Sequence, residues 1–122
     1  MGWQIPGAPV RKAAELTNNS APTDYEGRSI RLTDERWAHI EEHPEMAGLQ
    51  EALAETLRKP EAVIESPSDP FARLYYRFYH RTMVGGKYLC AVVKVLQEDA
   101  FVLTAYLTDS VKKGALLWPK EL

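Results

Sequence analysis

The hydrophobic period of the chain changes near residue 60. Before that point apolar side chains recur at helical spacing; beyond it they alternate with polar ones. In LTDERWAHIEEHPEM, Trp37 and Ile40 form an apolar stripe, while Arg36, His39 and His43 share a polar stripe at i, i+3 and i+7. Thr33 stands where an N-cap is needed, and Asp34 and Glu35 suit the positive end of a helix dipole. A first helix is therefore predicted from about Asp34 to Glu42, preceded by a short extended lead-in at Ile30 and Leu32. His43 precedes Pro44, a context that disfavours helix. Met46, Leu49, Leu53 and Leu57 then keep helical spacing until Pro60, which predicts a second helix over residues 47–58.

The remainder reads as four strands, at about 61–66, 72–82, 87–96 and 100–109. Gly85-Gly86 is taken as a two-residue loop closing the central hairpin, and Gln97-Glu98-Asp99 turns the next one. The expected fold is α+β, with N-terminal helices packed on one face of a four-stranded antiparallel meander. Alternation places Leu74, Tyr76 and Phe78, then Leu89, Ala91, Val93 and Val95, then Phe101, Leu103, Ala105 and Leu107 under the helices. The second strand's other face alternates Arg73, Tyr75, Arg77, Tyr79 and Arg81. Tyr88, Cys90, Val92 and Lys94 extend that face on the third strand, and Val102, Thr104, Tyr106 and Thr108 on the fourth. If Val84 pairs with Lys87, Arg77 lies opposite Lys94. Like charges so opposed cost up to roughly 1 kcal/mol, which an anion seated between them would offset.

Charge distribution sharpens this. Residues 28–69 hold five basic and ten acidic side chains, whereas residues 70–122 hold eight basic and four acidic. That asymmetry points to an anionic ligand on the C-terminal half. Arginine offers a fork for phosphate oxygens and tyrosine a plane for bases, a combination suited to single-stranded RNA. Packing is the competing explanation, since Tyr favours strands and Arg commonly lies over Tyr on sheets.

Residues 1–27, rich in Pro and Gly and carrying Asn18-Asn19-Ser20, read as a flexible arm or linker, leaving residues 28–122 as a single domain. Cys90 is the single cysteine, which rules out an intrachain disulfide, and mid-strand it reads as structural. MGWQIPGAPVRKAAELT has no signal-like apolar run and no stretch reaches membrane-spanning length, so a cytoplasmic protein without membrane contact is expected. His39 and His43 stand at i and i+4, but no HExxH pattern and no third ligand accompanies them, so no metal is assigned. Acid–base work near neutral pH and simple surface packing stay open for both. His80 has core-side parity in this scheme and reads as structural.

LTDERWAHIEEHPEM, then LYY, YLCAVVKV and FVLTAYLTDSVKKG, in that order, resemble the phage-borne nuclease-fold domains of the barnase–EndoU–colicin–RelE class over about residues 28–118. The resemblance implies N-terminal helices on a four-stranded antiparallel sheet, an active site on the exposed sheet face, and metal-independent ribonuclease activity of toxin type without a cofactor. By position it implies roles for His39 in W-x-H-I, Lys94 in V-V-K, and Thr104, Tyr106 and Thr108 in T-A-Y-x-T; Arg77 joins them from the register argument. The candidate catalytic set is thus His39, Arg77, Lys94, Thr104 and Tyr106, with His43 as a further acid–base candidate. Arg73, Tyr75, Tyr79, Arg81 and Thr108 are the candidate RNA-binding residues. Catalysis without histidine occurs in the RelE branch, which matters if His39 does not reach the sheet face. The implied partners are RNA, free or on the ribosome, and an antitoxin or immunity protein. Two other classes stay open: a module that binds RNA or an acidic protein without cutting, and a domain that dimerises through the same face.

Overall fold

In the computed structural model, which describes residues 21–119, Thr33 caps the first helix, its hydroxyl accepting the Arg36 N–H at 3.0 Å. That helix, α1 (Asp34–Ile40), is two residues shorter than its pattern predicts and buries Trp37 and Ile40. His43 has the extended backbone expected before proline and opens a 3₁₀ turn, Pro44–Met46. The second helix, α2 (Gln50–Arg58), buries Leu53 and Leu57, with Met46 buried and Leu49 half-buried just ahead of it. The apolar stripe read from the sequence does face the core, although its first part is not α-helical. No helix among the described residues is long and apolar enough to cross a membrane.

Strands β1 (Ala62–Ser66), β2 (Asp69–Tyr79), β3 (Lys87–Val95) and β4 (Ala100–Thr108) form the antiparallel meander. A fifth strand, β5 (Leu116–Trp118), pairs antiparallel with β1, so the sheet has five strands in the order β4-β3-β2-β1-β5, not four. Three residues are too few to show a period in sequence; β5 forms because the outer edge of β1 offers it backbone partners. At the opposite edge Arg31 makes a parallel bridge to Phe101, its N–H reaching the Ala100 carbonyl at 2.8 Å. The fold class is therefore α+β, with both helices packed on one face of the sheet.

The central hairpin corrects the expected register. Tyr79, not Val84, pairs with Lys87, so the loop runs through residues 80–86 instead of two glycines. Thr82 shapes that loop, its hydroxyl bonding the Gly85 carbonyl and accepting the Val84 N–H, with Gly85 at φ +91. An odd displacement of one strand moves every side chain to the other face. Tyr75 and Tyr79 therefore point toward the helices with Arg73 and Arg77, while Leu74, Tyr76 and Phe78 point away. Arg77 lies opposite Leu89, and Lys94 opposite Ala72 and Phe101, so the expected Arg77–Lys94 opposition does not exist. A second irregularity, between Val92 and Val93, leaves Leu103 unpaired and turns Ala100 and Val102 toward the helices and Phe101 away.

Because β4 and β5 lie at opposite edges, the segment joining them must cross the sheet. It does so on the face away from the helices. The Lys112 N–H donates to the Tyr76 hydroxyl at 3.2 Å, and Val111 packs beside Tyr76, Cys90 and Tyr106. At Gly114 the approach is so close that a Cβ would sit 2.7 Å from Ile64 Cγ2 and 3.0 Å from the Glu65 carbonyl oxygen. Residues 1–20 of the expected arm lie outside the described residues. Its last part belongs to the packed unit: Asp24 is buried, and Thr23 bridges Ser29 around a turn with Gly27 at φ +84.

Candidate functional site

The arginine–tyrosine stripe of β2 divides into packing groups and edge groups. The Tyr75 ring is fully buried, and its hydroxyl donates to Asp24 Oδ2 at 2.7 Å. The Tyr79 hydroxyl lies 2.9 Å from both the Ala52 carbonyl and Glu55 Oε1, its single proton shared between the two acceptors. Both tyrosines thus join the sheet to elements lying over it, as buried phenols with partners do. Arg73 reaches Glu26 at 3.2 Å, and Arg77 reaches the Lys59 carbonyl at 2.8 Å, their stems passing along the core edge. Arg81 is exposed in the 80–86 loop. Of the five, Tyr75 is buried, Arg73, Arg77 and Tyr79 are half-buried and only Arg81 is exposed, so they do not make one open face of the sheet.

Burial pushes the Tyr76 and Tyr79 phenols up to about 12 from an ordinary 10.0, and pushes Tyr75 and Tyr106 further up. The folded chain holds these protons more tightly than the unfolded chain does. The stability they contribute is fully present below pH 10 and is lost as pH rises from 10 towards 12. At pH 11 the loss is about 1 kcal/mol for Tyr76 and for Tyr79. Thermal melts should fall steeply between pH 10 and 12, and an unchanged midpoint across that window would contradict the burial of these phenols.

On the face away from the helices the crossing segment covers Tyr76 and Cys90 but leaves the end near Lys94 accessible. Lys94, Thr104, Tyr106 and Thr108 do share this face, as alternation predicts. Arg31, Phe101 and Lys94 are successive neighbours across it. The Arg31 guanidinium lies 5.0 Å above the Phe101 ring and 2.7 Å from Asp99 Oδ2. Lys94 Nζ is hydrogen-bonded to Asp69, and that bond holds the Asp69 carboxyl below the usual range. Thr104 stands opposite Val92, one same-face step from Lys94. Tyr106 stands opposite Cys90, which is about 13 Å from Lys94 along the strand. Burial, and then its neighbour Cys90, pushes the Tyr106 phenol up, so it stays protonated near neutral pH and is a weak proton donor. Burial likewise raises the Cys90 thiol.

The histidines stand apart. His39 is exposed on α1, with Nδ1 3.6 Å from Glu42 Oε1, and His43 is exposed beside it. Since α1 packs on β4 from the helix side through Trp37 and Ile40, His39 is not brought together with Lys94 and Thr104. His80, expected in the core, is exposed and meets Phe78 edge-on at 5.0 Å, beyond which Phe78 meets Tyr88 at 5.2 Å. No group of three His, Cys, Asp or Glu side chains that could hold a metal occurs among the described residues. Sequence reading missed Asp69 and Arg31. SPSDP looks like an isolated turn, and Arg31 sits in a lead-in whose sheet partner cannot be read locally.

Comparison of the chain with known protein families, with curated proteins and with solved structures finds no match.

Proposed function

We propose that the protein is a metal-independent endoribonuclease of the barnase–EndoU–colicin–RelE class, acting on RNA laid over the Lys94 end of the uncovered sheet face. The row Arg31–Phe101–Lys94 carries this reading. It sets Lys94, paired with Asp69, beside the Phe101 ring, which Arg31, paired with Asp99, overlies, on a face that the helices leave open, with the Thr104 hydroxyl adjoining. Cations beside an aromatic plane suit a phosphate next to an unstacked base.

In the reaction the RNA 2′-oxygen attacks the adjacent phosphorus. The new O2′–P bond forms as the P–O5′ bond breaks, giving a 2′,3′-cyclic phosphate and a 5′-hydroxyl. Asp69, ionised and beside Lys94, accepts the 2′ proton. The Lys94 ammonium stabilises charge on the phosphorane oxygens and supplies the proton that the leaving 5′-oxygen takes. Because the nucleophile belongs to the substrate, DNA is not cut. The same reading makes the protein a toxin-type enzyme held in check by an antitoxin or immunity protein.

One observation favours a second reading. Tyr106 is engaged with Cys90, and His39 lies off the face, so proton transfer falls to the Asp69–Lys94 pair alone of the groups described at this row. A binding module would need no such chemistry. End-group analysis of a labelled RNA pool, incubated with the protein in EDTA, separates the two. Cyclic-phosphate ends are the expected result. RNA left intact both free and on translating ribosomes, yet bound with steep salt dependence, would replace the nuclease by an RNA-binding domain.

A further inference from the structure

A cleft of about 680 Å³ opens between the C-terminal end of α2 and the edge strand β5. Its lining joins two aromatic side chains, Tyr25 and Trp118, to three cations, Arg58, Lys59 and Arg77, and one acid, Glu26. Glu26 is already engaged by Arg28 at 3.1 Å and Arg73 at 3.2 Å, so it does not neutralise the cleft. Among the described residues no acidic side chain pairs with Arg58 or Lys59, and Arg77 has Glu55 only at 3.8 Å. The bond from Arg77 Nη1 to the Lys59 carbonyl fixes one side of its guanidinium and leaves donors of the fork for a ligand. Cations also gather at helix C-termini to balance the dipole, which accounts for Arg58 and the Arg77–carbonyl bond. Dipole balance does not account for the aromatics. The Trp118 ring lies 5.2 Å from Tyr25, tilted by 37°, yet stays 40% exposed at the cleft.

We propose that this cleft binds a nucleotide. Arg58 and Arg77 take the phosphate oxygens, Lys59 adds a third positive charge, and the base stacks on Trp118. The volume lies within the range of small-ligand pockets. The ligand is either a free mononucleotide or one nucleotide of an RNA strand; the recognition chemistry is the same. The site stands independently of the ribonuclease reading, because Lys94 is on the opposite face of the sheet.

Calorimetric titration of the full chain with three probes tests this: inorganic phosphate, adenosine 5′-monophosphate, and a 5′-phosphorylated 2′-O-methyl RNA tetranucleotide that cannot undergo transesterification. The mononucleotide should bind one to one and about tenfold more tightly than phosphate, the worth of one stacked base. Arg58→Ala, an exposed substitution, should weaken both about tenfold. Trp118→Ala should reduce the mononucleotide to the affinity of phosphate, with Trp118→Phe restoring most of the difference. The tetranucleotide is titrated in the Lys94→Ala background, so that binding at the uncovered sheet face does not contribute to its affinity for the cleft. A tetranucleotide at least tenfold tighter than the mononucleotide identifies an RNA strand as the ligand; equal affinities identify the free nucleotide. No mononucleotide binding at millimolar concentration, equal affinity for phosphate and mononucleotide, or affinities untouched by Arg58→Ala would each overturn the proposal.

Discussion

Replacing Asp24 by alanine lowers the unfolding free energy by about 3 kcal/mol, the largest stability loss expected from a single polar substitution in this chain. The carboxylate is completely enclosed and accepts four hydrogen bonds. Two come from the Tyr75 hydroxyl and Arg28 Nη1, each at 2.7 Å, and two from the backbone N–H groups of Glu26 and Arg28, each at 2.9 Å. Alanine leaves the Tyr75 hydroxyl without an acceptor in the core and loosens the turn that carries Tyr25. The cost stays below the sum of four bonds because Arg28 is part-exposed and keeps Glu26 at 3.1 Å. Tyr75→Phe removes donor and demand together and should cost about 1 kcal/mol. A double-mutant cycle in urea denaturation isolates the pair: Asp24→Ala made in the Tyr75→Phe background should cost clearly less than in the wild type. Strict additivity would mean that the two side chains do not interact.

With the ribonuclease activity proposed above, Lys94→Ala is expected to lower RNA cleavage by about a hundredfold or more, and His39→Ala to change it by less than about threefold. The contrast follows from placement. Lys94 neighbours Phe101 and bonds Asp69 on the uncovered face, whereas His39 lies on the outer side of a helix that packs on the other face. Neither substitution opens a cavity, since His39 is exposed and Lys94 is half-exposed, so both variants should melt like the wild type. Initial rates on a fluorogenic oligoribonucleotide at matched concentrations give the comparison. The reverse order of effects would move the reaction to the helix side and remove Lys94 from it.

Much of the local structure was legible because it depends on neighbours in sequence. Thr33 caps its helix, Met46 to Leu57 keep one stripe, and the strand segments end where Pro60 and Gln97-Glu98-Asp99 interrupt them. That Lys94 shares a face with Thr104 and Tyr106 was legible too, because the extra residue sits on β4: Lys94, Val92 and Cys90 keep strict alternation on β3, and the last two pair with Thr104 and Tyr106. The face that β2 presents to the helices was not legible. Leu74-Tyr76-Phe78 and Tyr75-Tyr79 are both apolar enough to be buried, so alternation has two solutions, and the Gly85-Gly86 pair points to the wrong one. Asp24, 51 residues from Tyr75, decides between them by supplying the buried acceptor that a core tyrosine needs.

Alone, then, the sequence determined the α+β order of elements, the helix cap and apolar stripes, and the parity that places Lys94 with Thr104. The tertiary structure decided which face of β2 is core, added β5 and the crossing segment, and brought Arg31 beside Phe101 and 2.7 Å from Asp99, 68 residues away. The physical reason is range. Periodicity and capping report interactions a few residues long, whereas the register of a long-looped hairpin and the pairing of a sheet edge rest on hydrogen bonds whose two partners lie far apart in the chain.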